Sequence, residues 1–281
     1  MTAPSTSEVA SPSVQESAAS RGLKWLRSFA IGRLPQVATL LLLLLGWQLL
    51  AWYGPGPDYL RPSPGQVVDA LGRIASDGSL LAAITASMGR IGIGYSVSVV
   101  LGLALGVALA RSPLMKASIG SLVLALQSLP SICWLPFALI WVGLNEGAIL
   151  AVVILGATFA IALSAESALR NIPPLYVKVG LTLGARNVTL WRDILFFAAL
   201  PELIGGLKVG WTFAWRSLMA AELLRQDIVG VGTLLETGRQ FNDLPMMLAA
   251  VGVILCIGLI VDSLVFGRLE RTVRRRWGLE K

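Results

Sequence analysis

The 281-residue chain contains no histidine and only two cysteines, Cys133 and Cys256. Neither cysteine has a CxxC neighbour, so a structural zinc site lacks its ligands. Both lie in apolar stretches and read as small buried or lipid-facing hydrophobes. The missing histidine also removes His-dependent nucleophilic triads and His-ligated haem. No GxxxxGK[ST] run occurs, so the chain carries no Walker-type nucleotide site of its own. Charge is scarce too: 14% of residues are Asp, Glu, Lys or Arg, where a soluble domain carries about 25%. With 55% hydrophobic residues, neither a water-soluble globule nor a disordered chain fits. The net charge of +7 would suggest nucleic acid in a soluble chain. Here the charges collect between long apolar runs, and nine Trp against four Tyr suit bilayer interfaces. An integral membrane protein is expected.

A bilayer core of about 30 Å needs about 20 apolar residues of helix. Six runs qualify. Leu34 to Pro57 is free of charge and holds the leucines Leu40 to Leu45. Ile91 to Ala110 lies between Arg90 and Arg111. Ala117 to Asn145 is interrupted by Pro130 and Pro136, which predicts a kink, because proline removes a backbone donor and clashes one turn back. Gly147 to Ala165 is the fourth run. The fifth, about Ile194 to Leu224, carries Glu202, Lys208, Arg216 and Glu222; the sixth, Leu244 to about Phe266, carries Asp262 near its end. Residues 1–33 read as a disordered, then basic segment, and 268–281 as a basic tail that orients the chain or touches anionic headgroups. No small-residue cleavage site follows the first run, which reads as an uncleaved span.

Lys and Arg accumulate on the cytoplasmic side of membrane proteins. With the N-terminus inside, sixteen of them fall in the N-terminal segment, the 111–116 turn, the 170–192 loop and the tail, against four outside: Arg61, Arg73, Arg225 and Arg239. Arg90, Lys208 and Arg216 lie within or near spans. The expectation is six transmembrane helices, all-α, with both termini cytoplasmic.

The loop 171–192 (NIPPLYVKVGLTLGARNVTLWR) is too long for a turn and too short for a domain. Pro173 and Pro174 suit the first turn of a helix, Leu175, Val179 and Thr182 share a face, and Gly184 is available to end it. A second short helix at Val188 to Trp191 leads into the fifth span. Such a helix pair either lies on the membrane surface or forms a rigid peg for a soluble partner.

The stretch Pro173 to Ala185 resembles the cytoplasmic loop of binding-protein-dependent ABC importer permeases, nitrate/sulfonate/taurine branch. So do Ala198-Ala199-Leu200-Pro201, Gly206-Leu207-Lys208-Val209-Gly210 and Ala214-Trp215 with Ala220-Ala221-Glu222-Leu223. Upstream, Leu129-Pro130, Trp134-Leu135-Pro136 and Trp141-Val142-Gly143 also fit. The resemblance covers about residues 60–277 and departs at one point: the family's Glu-Ala-Ala falls on Lys178-Val179-Gly180. It implies a type I importer fold and a permease domain at 34–267 with its coupling loop at 171–192. The implied partners are a second copy of the permease in a homodimer, two cytoplasmic ATPase subunits that bind ATP and Mg, and an extracytoplasmic solute-binding protein in the bacterial inner membrane. The permease itself would be no enzyme. Coupling to the ATPase would fall on Pro174, Lys178, Gly180, Thr182, Leu183, Gly184 and Ala185.

For the solute pathway the candidates are Trp134, Trp211, Trp215, Arg216 and Glu222. A cation inside a span faces protein or a water cavity, and Trp211 and Trp215 lie one helical turn apart beside it. A guanidinium next to indole rings suits a small oxyanion. The competing reading pairs Arg216 with Glu222 or lets it snorkel. Lys208 reads as structural, with Glu202 as a partner. Glu146 reads as loop polarity, and 225–243 as an outer segment with a short helix. Gly102-x-x-x-Gly106 and Gly206-x-x-x-Gly210 let helices approach closely within the bundle. A stand-alone secondary transporter would need repeated halves, which the sequence does not show convincingly. A membrane enzyme would need a catalytic set, and none is visible. Among ABC solutes, a non-anionic one such as a vitamin precursor is the alternative.

Overall fold

The computed structural model describes residues 18–276 apart from 226. The expectations for residues 1–17 and 277–281 lie outside them. Among the described residues every regular element is a helix. Contacts divide the chain into two units, one ending at Pro64 and one beginning at Gly65.

The first unit is essentially one helix, α1 (Ala18–Tyr53), which runs through the basic stretch into the leucine run without a break. Leu40 to Leu45 are all exposed. Its apolar part, Val37–Tyr53, is shorter than the helices of the second unit that are long and apolar enough to cross a membrane. Near its end the Trp47 indole donates to the Pro62 carbonyl (2.9 Å), and beyond it Arg61 donates to the Gly54 carbonyl (2.5 Å) and pairs with Asp58.

The second unit opens with α2 (Pro64–Ser76), an amphipathic helix that buries Ala70 and Ile74. It was not anticipated as an element, although Val67, Ala70, Leu71 and Ile74 have helical spacing. Then come α3 (Ser79–Arg111), the pair α4 (Pro113–Ser128) and α5 (Ser131–Val142), α6 (Glu146–Arg170), α7 (Pro174–Thr182), α8 (Asn187–Leu223), α9 (Val231–Gln240) and α10 (Leu244–Arg275). Four of these, α3, α6, α8 and α10, are long and apolar enough to cross a membrane, and α4 with α5 counts as a fifth if the bent pair is one span. The expected kink is larger than a kink: the two halves meet at 101°. Pro130 cannot donate its backbone N–H and forces Leu129 out of the helical region, to φ −69°, ψ 131°.

The centre of the unit is α6. Its Ile149, Val152, Val153, Ala157, Ala160, Ile161, Ala162 and Ala165 are at most 1% exposed, because α3 and α8 close on it from two sides. Both do so through the anticipated glycine pairs. A methyl at Gly102 would lie 2.7 Å from Ile161 Cβ, and one at Gly210 would lie 2.3 Å from Ile161 Cγ1. Gly106 meets the Ala162 carbonyl and Gly206 meets Ser164 in the same way. Without a hydrophobic drive between helices in lipid, this close backbone approach supplies the packing. Both motifs are thus used inside the chain's own bundle.

Candidate functional site

The segment between α6 and α8 folds as its residues dictate. Pro174 starts α7, and Gly184 ends it at φ +81°. The Ala185 N–H donates to the Gly180 carbonyl and the Gly184 N–H to the Leu181 carbonyl, each at 3.0 Å. This is the paired bonding of a glycine C-cap, which a side chain at position 184 would strain. Gly180 is buried against the start of α8, where a methyl would come within 2.5 Å of Leu190 and 2.6 Å of Ile194. The opposite side of the segment is bare. Leu175, Val179 and Leu183 are 67%, 49% and 78% exposed, and Pro174, Lys178 and Thr182 are exposed with them. The result is an exposed apolar row held on a capped, rigid turn rather than a core. Leaving it, the chain enters α8 through a π-helical turn, Trp191–Leu195.

The bend between α4 and α5 opens a second feature, a cavity of about 330 Å³ lined by residues 126–132 with Trp134, Leu155, Gly156, Phe213, Arg216 and Ala220. The Arg216 guanidinium sits over the Phe213 ring, 4.9 Å from its centre, and its Nε donates to the Thr212 carbonyl at 3.3 Å. Of the five pathway candidates, this cavity brings together Trp134 and Arg216. The other three lie elsewhere. Trp211 and Trp215 do share a face, stacked at 6.4 Å with 8° between their planes, but that face turns inward. Trp211 packs against Tyr95 and Phe266, and Trp215 belongs to the core around α6. The reason is helical phase: one residue turns the side chain by about 100°, so Arg216 cannot share the direction of Trp215.

Glu222 is fully buried and does not pair with Arg216. Its partner is Arg90, whose Nη1 donates to it at 2.8 Å. The Ser87 hydroxyl lies 2.8 Å from both carboxylate oxygens, and the Gly232 N–H donates to Oε2 at 3.0 Å. Arg90 also donates from Nη1 to the Val229 carbonyl (2.7 Å) and from Nε and Nη2 to Glu146 (2.5 and 2.8 Å). Glu146 is therefore an ion-pair partner and not loose polarity of a turn. The cluster ties α3, the start of α6, the end of α8 and the start of α9 into one knot, and Arg225 adds a bond to the Asn145 carbonyl at 3.3 Å. The same Arg225, hydrogen-bonded to Asp227, holds that carboxyl below its ordinary range. Lys208 is corrected likewise: it pairs with Asp262 at 2.9 Å, while Glu202 accepts from Ser167 and Asn171, each at 3.1 Å. Charge isolation within apolar runs flagged these residues one by one. Their pairing spans 132 positions in the Arg90–Glu222 case, and no local spacing reports that.

Both cysteines are exposed, consistent with lipid-facing positions for groups that bind no partner cysteine.

Known proteins bear out the resemblance. The family of binding-protein-dependent transport system inner membrane components matches residues 98–275. The taurine transport system permease protein of Escherichia coli K12 is 26% identical over 89% of this chain and 92% of its own length. A bicarbonate transport system permease protein of Synechocystis sp. is 27% identical over 82% of this chain and 85% of its own. A nitrate import permease protein of the same organism is 28% identical over 82% and 86%. Among solved structures, an inward-facing methionine ABC transporter chain shares the fold, with a TM-score of 0.59 at 21% identity over 69% of this chain and 96% of that one. With six apolar runs, a glycine-capped helix between α6 and α8 and a family match across most of the second unit, the chain belongs to the binding-protein-dependent transport system inner membrane components, and it is similar to taurine, bicarbonate and nitrate permeases.

Proposed function

We propose that this chain is the membrane subunit of an ATP-driven importer that works as a homodimer with two cytoplasmic ATPases and an extracytoplasmic binding protein. In this reading six spans cross the bacterial inner membrane with both termini in the cytoplasm, α7 meets the ATPase, and the 225–243 segment faces outward. The bond-breaking step belongs to the ATPases, which bind ATP and Mg. ATPase closure pushes the α7 segment and shifts the bundle between outward- and inward-facing populations. The rigid glycine cap and the bare apolar row on α7 support that role, and Lys178 in place of the family's acid predicts a complementary carboxylate on the partner.

The solute we assign is a small oxyanion of the sulfonate, nitrate or bicarbonate kind. One observation carries it: Arg216, which forms no ion pair among the described residues, borders the cavity at the broken span together with Trp134. A charge-assisted hydrogen bond is worth about 1.5–3 kcal/mol, roughly a ten- to hundredfold effect on uptake when lost. In reconstituted complex Arg216→Gln should lose anion uptake by that factor with assembly intact, and Arg216→Lys should keep part of it, since charge survives without the fork. Parental uptake by Arg216→Gln would refute the anion assignment and favour a non-anionic solute. Orientation is tested separately. After Cys133 and Cys256 are replaced, cysteines placed in 225–243 should react with an impermeant maleimide from outside, and those in 174–190 only after permeabilisation. The reverse pattern would overturn the topology.

A further inference from the structure

A second cavity, of about 790 Å³, lies apart from the one at Arg216. It is a groove between α3, α6 and the first half of α8, walled by Leu103 and Val107, by Leu169, and by Phe196 and Leu203. At one end it meets Arg111 and Arg192. Arg111 stacks on Trp191 with its guanidinium carbon 4.2 Å from the ring centre and forms no ion pair among the described residues, while the exposed Arg192 pairs only with its neighbour Asp193, at 2.7 Å. Along α8, Phe196 and Leu203 lie roughly 200–220° around the helix from Arg216 at about 100° per residue. The groove therefore opens on the side of α8 facing away from the proposed solute cavity. An apolar trough with a cationic, indole-bearing mouth at a membrane interface has the chemistry of a bound anionic phospholipid: phosphate on guanidinium, acyl chain on leucine and valine.

We infer that this groove holds an anionic phospholipid, its phosphate between Arg111 and Arg192 and an acyl chain along Leu103 and Val107, and that the lipid braces the joint between α7 and α8. The bracing follows from position. Asn187, Val188 and Trp191 border the groove, and they form the first turns of α8, directly after the docking segment and at its π-helical turn. A ligand there stiffens the element through which α7 moves the bundle. The regulatory part rests on the importer reading above; lipid binding does not.

Two readouts separate these parts. In the first, intact complex is purified in detergent, exposed to equal phosphatidylglycerol and phosphatidylcholine, and analysed by native mass spectrometry. The parent should retain phosphatidylglycerol in at least several-fold preference. Arg111→Gln with Arg192→Gln should lose that preference, and Val107→Trp, which fills the trough while leaving both arginines, should lose retention. Arg268→Gln with Arg271→Gln, a basic pair on α10 outside the groove, should keep it. In the second, the same proteins in vesicles of phosphatidylcholine, with and without phosphatidylglycerol, are assayed for hydrolysis stimulated by loaded binding protein. The parent should gain several-fold on adding the anionic lipid, and the groove variants should not. Equal retention of both lipids, or equal loss in the α10 pair, would overturn the site. Selective retention without any gain in stimulation would overturn the bracing alone.

Discussion

The knot around Arg90 and Glu222 makes the sharpest stability prediction. Glu222 has no solvent-exposed side-chain area and Arg90 has 10%, so each neutralises a charge that water cannot reach. Replacing Arg90 by Met leaves a buried carboxylate with only Ser87 and the Gly232 N–H to satisfy it, and replacing Glu222 by Leu leaves those two donors without their acceptor and the guanidinium with only Glu146 and the Val229 carbonyl. Breaking a buried pair by removing one partner costs about 3–5 kcal/mol, while replacing both partners by apolar groups is often close to neutral. At roughly 2–4 °C per kcal/mol for a chain of this size, either single variant should unfold about 6–20 °C below the parent in detergent. The double variant should unfold well above the level that adding the two losses gives, because neither charge is then stranded. Glu146→Gln offers an internal contrast: its side chain is 57% exposed, and pairs of that kind are worth about 1 kcal/mol or less. The assay is thermal unfolding of the purified complex for all four variants. Strictly additive losses, or a Glu146→Gln loss as large as that of Glu222→Leu, would refute the idea that burial of this pair sets its worth.

The other predictions concern packing and coupling. Leu183→Asp changes a side chain that is 78% exposed, so the unfolding temperature should stay within about a degree or two while stimulation of ATP hydrolysis by loaded binding protein collapses; unchanged stimulation would count against the α7 face. Gly210→Val should lower stability by about 1–3 kcal/mol through overpacking on Ile161, whereas Gly205→Ala, with nothing within 4 Å of the added methyl, should be neutral or stabilise by up to about 1 kcal/mol. Equal effects at the two positions, measured by the same unfolding assay, would contradict the packing described for α8.

Much of this protein was legible before any coordinates. Composition and charge-free runs define an all-helical membrane chain, since a bilayer admits few alternatives once backbone groups must be satisfied internally. The glycine pairs at 102/106 and 206/210, the proline-broken third run and the capped helix at 174–184 were readable because each depends on neighbours in sequence. The order of motifs sufficed for the family. What a one-dimensional reading missed depends on which helix faces which. Helical phase separates Arg216 from Trp215, although they are adjacent in the chain. Tertiary packing joins Arg90 to Glu222 and Lys208 to Asp262, and it brings Arg111 onto Trp191 beside a trough that three separate helices must meet to form. Local geometry is encoded residue by residue, whereas the partners of a buried charge are chosen by whatever the fold happens to place within 3 Å of it.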